Sequence, residues 1–199
     1  MLLNYRKFFV KERVAMLKLT DTYDIYDPAT NAQIGLAKEQ TSTWVQIARL
    51  MVNKRFLSTT IHIYEAGDDS EEPLFSLIKK PGFMSVKVVV QDAHGNAFGT
   101  LRSKVLSLGG GFTVMNTRGV QVADVKGDWK GWNFRFLTPD GHELGVVTKK
   151  WAGIGKEFFS SADNYMIALN DSDGEDSDPQ LAALLLAGGL AIDMVFKER

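Results

Sequence analysis

LAALLLAGGLAIDMVF, residues 181–196, is apolar on every side of a helix and is interrupted by one charged residue, Asp193. At about 1.5 Å per residue this stretch forms a helix of roughly 24 Å, shorter than the ~30 Å hydrocarbon core of a bilayer. Three environments suit it: a marginal membrane anchor, a membrane interface, or the inside of the protein's own sheet. An interfacial helix needs a polar face, which this stretch lacks. We therefore predict a helix enclosed by a sheet, with the membrane anchor as the alternative.

The flanking residues predict a helix over residues 179–196. Asp178 suits the N-cap, Pro179 suits the first helical position, and the cations that follow residue 196 suit the negative end of the helix dipole. Two adjacent glycines weaken the helix by about 1 kcal/mol each relative to alanine, and they let a strand backbone approach closely. Asp193 is expected to accept backbone or tryptophan hydrogen bonds near the mouth of the sheet, with a functional buried acid as the alternative. The predicted structural residues of this core helix are Leu184, Leu185, Gly188, Gly189, Ile192 and Asp193.

Composition limits the function classes. The chain has 199 residues, of which 45% are hydrophobic, and this is enough for one substantial core, so we predict a single domain over residues 1–199. The net charge of −1 gives no basic field, so we expect no nucleic acid partner. The absence of cysteine excludes disulfides and thiol catalysis and fits a reducing cytoplasm. Residues 1–10 lack the apolar region of a secretory signal, so we expect a cytoplasmic protein.

Three segments repeat one hairpin pattern. In each, alternating apolar residues lead to a turn glycine, and a small residue follows that glycine four places later. A more diverged copy has Asn31 at the turn and Gly35 as the small residue. The turn residue supplies positive φ, and the small residue fits a bulge that curves the sheet. The segments are 88–101 (VVVQDAHGNAFGTL), 112–125 (FTVMNTRGVQVADV) and 134–147 (FRFLTPDGHELGVV), and the diverged copy is 24–37 (DIYDPATNAQIGLA).

Repeated antiparallel hairpins predict a mainly β fold, a closed barrel of about twelve strands. Further strands are predicted at Phe56–Glu65, Leu74–Lys79 and Tyr165–Leu169, and Trp44–Val52 suits either a strand or a short helix. A barrel of about twelve strands is wide enough to need a filling. We expect the C-terminal helix to be that filling.

The C-terminal third resembles one protein family. KKWAGIGKEFF (149–159), SADNY (161–165) and AIDMVFKE (191–198) follow one another as similar segments do in the phospholipid scramblases. The hairpins and VKERVAMLKLTDTYDIYD (10–27) are similar to the wider Tubby C-terminal-like superfamily, which includes the plant LURP-one-related proteins. The resemblance implies a twelve-stranded barrel around a hydrophobic C-terminal helix. It also implies a membrane-proximal module that binds lipid or phosphoinositide, with calcium-activated lipid scrambling in some members.

Calcium is the cofactor that the resemblance implies. The calcium segment of scramblases falls on residues 161–172, where Ser161 replaces the first acid. The acidic run that follows, residues 171–178, offers oxygen ligands at close spacing but not the glycine and glutamate positions of an EF-hand loop. A solvated acidic linker that caps the helix is the alternative interpretation. The candidate calcium ligands are Asp163, Asn164, Asp171 and Asp173.

Basic residues near predicted strand ends are candidates for binding an anionic phospholipid membrane surface. Such cations contribute about 1 kcal/mol each at an anionic surface, and Trp129, Trp132 and Trp151 lie near lysines, as suits a membrane interface. Alternatively, the lysines occupy outward strand positions and the tryptophans pack in the barrel. The candidate lipid-binding residues are Lys149, Lys150, Trp151 and Lys156. Further cations near strand ends are Lys79, Lys80, Arg102, Lys104, Lys126 and Lys130.

The sequence shows no enzymatic arrangement. Its three histidines have no nucleophile at a suitable spacing, and the glycine run 109–111 lacks the Lys-Ser/Thr of a P-loop. We therefore expect no enzyme. Two function classes remain: a peripheral protein that binds anionic phospholipid, with calcium-dependent scrambling as a further activity, and a soluble LURP-one-like barrel that binds a ligand or protein without a membrane role.

Overall fold

A computed structural model describes residues 1–13, 20–41, 57–65, 69, 72–80, 82, 85–104, 110–128, 130–149, 164–170 and 179–196. Residues Leu2–Asn4 form a short 3-10 helix, and the C-terminal helix α1 covers Pro179–Phe196. The predicted segment Trp44–Val52 lies outside the described residues. The strands are β1 (Lys7–Glu12), β2 (Thr22–Tyr26), β3 (Gln33–Gln40), β4 (Thr59–Glu65), β5 (Phe75–Lys80), β6 (Lys87–Asp92), β7 (Ala97–Ser103), β8 (Gly111–Asn116), β9 (Gln121–Asp128), β10 (Asn133–Leu137), β11 (Glu143–Thr148) and β12 (Asn164–Leu169).

In the described part of the chain, these twelve strands form a closed up-and-down barrel. Each strand is antiparallel to the next one in the sequence. Strand β1 closes the barrel because it pairs with β12 on one side and with β2 on the other. The predicted fold class, a closed antiparallel barrel with one C-terminal helix, is confirmed.

The predicted hairpins are β2–β3, β6–β7, β8–β9 and β10–β11. Each has a register shift directly after its turn, where two residues of the second strand face one residue of the first. The predicted bulges are therefore confirmed. The turn residues have the predicted positive φ, which is 57° at Asn31, 83° at Gly95, 73° at Gly119 and 95° at Gly141. The extra residue of each bulge is the apolar one before the small residue, namely Ile34, Phe98, Val122 and Leu144.

Helix α1 runs through the inside of the barrel. Every residue from Ala182 to Val195 is buried. Leu184, Leu185 and Ile192 belong to the same hydrophobic cluster as the inward side chains of the strands. The prediction of an enclosed helix over residues 179–196 is thus confirmed.

Among the described residues, no helix combines the length and the apolar character that crossing a membrane requires.

The two helix glycines make room for side chains of the barrel wall. A Cβ atom on Gly188 would lie 2.9 Å from Cε1 of Phe136, and one on Gly189 would lie 2.4 Å from Cδ1 of Ile167. The expectation that a strand backbone approaches these glycines is therefore wrong. The wall reaches the helix through one layer of inward side chains, because a barrel of this width leaves that much space around an axial helix.

The small residue that follows a hairpin turn allows close packing in addition to curving the sheet. A Cβ atom on Gly99 would lie 2.1 Å from Cδ2 of Leu184, so this glycine admits the helix. A Cβ atom on Gly145 would lie 2.4 Å from the carbonyl oxygen of Ala168 on the neighbouring strand. The repeated small residue thus allows close approach of a different neighbour in each hairpin.

Candidate functional site: the basic end of the barrel

The cations of the barrel are concentrated at one end. Because each strand is antiparallel to the next, successive connections alternate between the two ends. The connections β1–β2, β3–β4, β5–β6, β7–β8, β9–β10 and β11–β12 therefore share one end, which we name the basic end. Helix α1 begins at the opposite end and directs its C-terminus, the negative end of its dipole, towards the basic end. The described cations of the basic end are Lys11, Arg13, Lys80, Lys87, Arg102, Lys104, Lys126, Lys130 and Lys149, of which Arg13 is paired with Asp24.

Most described carboxylates near the basic end are buried or engaged. Glu12 and Glu39 are only 4% and 3% exposed. Asp124 lies 2.8 Å from Nζ of Lys104 and 3.8 Å from Nζ of Lys126. Two acids of this end are more exposed, Asp21 and Asp128. Counted over the described residues, this end therefore carries a positive surface charge, although the whole chain has a net charge of −1.

The opposite end has carboxylates in its hairpin turns. The hydroxyl of Thr30 and the backbone N–H of Ala29 hold the pKa of Asp27 below its usual value. The backbone N–H of Asn96 does the same for the pKa of Asp92. These turn acids stay ionised at neutral pH, so they disfavour contact between this end and an anionic surface. Further described charges of this end are Arg6, Lys7, Glu65, Asp69, Glu72, Arg118, Asp140 and Glu143.

Lys149 is held against an aromatic ring at the basic end. Its Nζ lies 4.2 Å from the ring centroid of Trp132, within the range of a cation–π interaction. The ring centroid of Trp132 lies 5.3 Å from that of Tyr165 and 6.5 Å from that of Phe134. Trp132 thus packs on the barrel wall against Phe134 and Tyr165, as expected if the tryptophans pack in the barrel and do not lie at a membrane interface. Its contact with Lys149 holds that cation at the rim of the basic end.

Three cations lie side by side across β5, β6 and β7. Lys80 is the register partner of Lys87, and Lys87 is the register partner of Arg102. All three are exposed. Residues directly opposite on antiparallel strands have Cβ atoms about 4.5–5.5 Å apart, so like charges there repel. Within the described ranges none of the three forms an ion pair. We name Lys80, Lys87 and Arg102 the cation row.

Of the predicted lipid-binding residues, the structure describes the position of Lys149, and lipid binding stays a prediction for all four. Lys149 lies at the basic end, whereas Lys150, Trp151 and Lys156 lie outside the described residues, as does Trp129. Lys79 is not on the surface, because it is 1% exposed and points into the barrel. Its assignment to a basic surface is therefore wrong, while Lys80, the next residue, is exposed.

Of the four predicted calcium ligands, the described part of the chain includes Asn164. Asn164 is the first residue of β12 and is 5% exposed. Among the described residues, no group of three or more histidines and acids could hold a metal ion. Asp163, Asp171 and Asp173 lie outside them, so calcium binding stays a prediction.

Asp193 of helix α1 is a buried acid with a tyrosine partner. It is 2% exposed, and its Oδ2 accepts a hydrogen bond of 2.5 Å from Oη of Tyr23 on β2. Burial, followed by the charge of Asp193, raises the pKa of Tyr23 well above its ordinary value. One partner of Asp193 is thus a phenol, which was not predicted from the sequence. Asp193 anchors the last turn of the helix to the wall at the basic end.

Sequence reasoning missed Lys87 and the alignment of the cation row. The signal was present in the β6–β7 hairpin, because the turn at Gly95 and the bulge before Gly99 fix the register that places Lys87 opposite Arg102. The pairing of Lys80 with Lys87 needs the β5–β6 register, for which the sequence offers no turn glycine at a known offset.

A family model described as Scramblase matches residues 73–199, well over half of the chain. The chain belongs to the scramblase family. In this scramblase-family protein the matched segment contains β5–β12, helix α1, the cation row and Lys149. Strands β1–β4 lie outside the match, and they complete the same barrel through the β4–β5 and β1–β12 pairings. Searches of curated proteins and of solved structures find no match.

Proposed function

We propose that this scramblase-family protein is a peripheral membrane protein that binds anionic phospholipid through the basic end of its barrel. The observation that carries the proposal is the segregation of charge: cations crowd one end, whereas turn carboxylates occupy the other. At about 1 kcal/mol per cation near an anionic surface, the cation row alone would contribute about 3 kcal/mol, or more than 100-fold in affinity. The protein would act by binding rather than by catalysis, and the anionic cytoplasmic leaflet would be its surface.

Co-sedimentation of the full chain with vesicles tests this proposal. Vesicles with and without anionic phospholipid are compared at about 0.1 M and about 0.5 M salt, because screening shortens the Debye length from ~10 Å to less than half of that. We expect binding to anionic vesicles that is lost at high salt. Equal partition into neutral and anionic vesicles, or none into either, would reject membrane docking and favour the ligand- or protein-binding barrel without a membrane role.

Calcium-dependent phospholipid scrambling is a second candidate, which membership of the scramblase family favours. Because the barrel covers the apolar surface of α1, a path for lipid along that helix would require the barrel to open. We therefore rank lipid binding above lipid translocation. The same vesicles with a fluorescent lipid in the inner leaflet, with and without calcium, test this activity. Calcium-dependent exposure of the label to an external quencher would support scrambling, and unchanged protection would reject it.

A further inference from the structure

A groove on the outside of the barrel begins at the cation row. It encloses about 290 Å³ between β6, β7 and β8. Its charged lining residues are Lys87 and Arg102, and Thr100, Met115, Asn116 and Thr117 are among the others. Its volume is at the lower end of the ~300–1,000 Å³ range of small-molecule sites, so it suits a headgroup but not a diacyl lipid.

The polar groups of this groove are mostly donors that lack a partner. The Oδ1 of Asn116 accepts hydrogen bonds from the backbone N–H groups of Arg118 and Val120, each 3.0 Å, which leaves its NH₂ group as a donor. In the described part of the chain that NH₂ group makes no hydrogen bond, and neither do the hydroxyls of Thr100 and Thr117. No described carboxylate lines the groove. Such a set of donors complements the acceptor oxygens of an anion.

The cation row sets the charge of the anion that would fit best. Lys87 and Arg102 line the groove, and Lys80 lies directly beside Lys87. A phosphomonoester carries about −1.5 to −2 at neutral pH, whereas a phosphodiester carries about −1. Arginine can bind two phosphate oxygens at once, and lysine adds a point charge. A dianion would therefore relieve more of the repulsion within the row than a monoanion.

We propose that the groove beside Lys87 and Arg102 binds the terminal phosphate of a phosphomonoester on a glycerol carbon, supplied either by phosphatidic acid in a membrane or by glycerol 3-phosphate in solution. The lipid form of this inference rests on the proposed membrane docking. The chemistry shared by both sources is one terminal phosphate, whose oxygens accept hydrogen bonds from the cation row and from the donor groups of Thr100, Asn116 and Thr117.

Vesicles that contain phosphatidic acid or phosphatidylglycerol, adjusted to equal zeta potential, separate this site from general charge attraction. We expect the full chain to bind the phosphatidic acid vesicles at least roughly 5-fold more tightly, since only the monoester can carry a second charge. The variant K87A/R102A should lose this preference. The control variant K126A/K130A removes two cations of the same end outside the groove, so it should weaken binding to both vesicles and keep their ratio. Thermal unfolding of each variant confirms that it folds.

The outcomes distinguish the two proposals. Equal affinity for both vesicle types, or a preference that K87A/R102A retains, overturns the groove site while membrane docking stands. If neither vesicle binds, membrane docking fails, and titration of the full chain with glycerol 3-phosphate decides the groove. Saturable binding that K87A/R102A abolishes then supports the site with a soluble source. Absence of such binding overturns it.

Discussion

Replacing Gly189 by alanine tests the enclosure of helix α1 through the sign of one stability change. On an exposed helix face, Gly→Ala stabilises by about 1 kcal/mol because alanine has the higher helix propensity. Inside the barrel the new methyl group would lie 2.4 Å from Cδ1 and 2.8 Å from Cγ1 of Ile167 on β12. Normal carbon–carbon contacts are about 3.5–4.0 Å, so either the Ile167 side chain or helix α1 must move by about 1 Å to accommodate the methyl group.

The magnitude follows from these opposing effects. Overpacking of a core costs about 1–3 kcal/mol, and two contacts this short place Gly189→Ala in the upper half of that range. After subtraction of the helix propensity gain, we expect a net destabilisation of about 1–2 kcal/mol. For a chain of 199 residues this corresponds to a fall in Tm of about 2–8 °C.

Relief by Ile167→Val makes the test specific. This substitution removes Cδ1, the atom closest to the new methyl group, and costs about 1 kcal/mol by itself. Because the alanine methyl then fills part of the vacated space, the double variant should be at least about 1 kcal/mol more stable than additivity predicts. Gly188→Ala is the control, because its methyl group would meet Phe136 instead, so Ile167→Val should not rescue it.

Urea unfolding at constant m-value measures the free energy of unfolding of the wild type, the three single variants and the two double variants. A stabilised Gly189→Ala variant with additive behaviour towards Ile167→Val would show that this helix face does not pack on β12. That result would refute the reasoning from the enclosed helix, whereas destabilisation with rescue supports it.

Further predictions concern the buried tyrosines, the bulge glycine and alkaline pH. Tyr23→Phe should lower the free energy of unfolding by about 1.5–3 kcal/mol in urea, because it leaves Asp193 without the phenol donor. Tyr165→Phe should be neutral or stabilising in the same assay, because the described residues offer its buried hydroxyl no hydrogen-bond partner, and a large loss would contradict this. Gly99→Ala should destabilise by about 1–3 kcal/mol and couple favourably with Leu184→Ala in a double-mutant cycle, while additive effects would argue against their contact. Burial raises the pKa of both tyrosines, so the fold favours the protonated phenols. The resulting stability is complete below the ordinary pKa of about 10 and is lost as the pH rises further, and Tyr23→Phe/Tyr165→Phe should flatten this decline in pH-dependent thermal unfolding.

The sequence predicted those parts of the fold that depend on local pattern. Each hairpin turn has a residue with positive φ, and the two strands that the turn connects directly precede and follow it in the sequence. A short segment of sequence is therefore enough to predict each hairpin and its bulge. These turn residues are Asn31, Gly95, Gly119 and Gly141. The helix was predictable because an apolar stretch too short for a bilayer, after many strands, has few other places to be buried.

The site depends on contacts between distant residues, and the sequence showed less of it. Tyr23 and Asp193 are 170 residues apart and meet only because the helix passes the first strands of a closed barrel. The buried position of Lys79 follows from the parity of β5, where a shift by one residue exchanges Lys79 with Lys80. The separation of charge needs the complete strand order, because only that order shows which connections share an end.

Site-specific labelling tests the central claim, that the basic end faces the membrane. The chain contains no cysteine, so Lys130→Cys at the basic end and His94→Cys in the β6–β7 turn at the opposite end each provide one labelling site for a fluorophore. The labelled proteins are bound to anionic vesicles that carry a quencher in the lipid headgroups. We expect quenching of the label at position 130 and little at position 94, with both lost at high salt. Stronger quenching at position 94, or equal quenching at both positions, would contradict the claim.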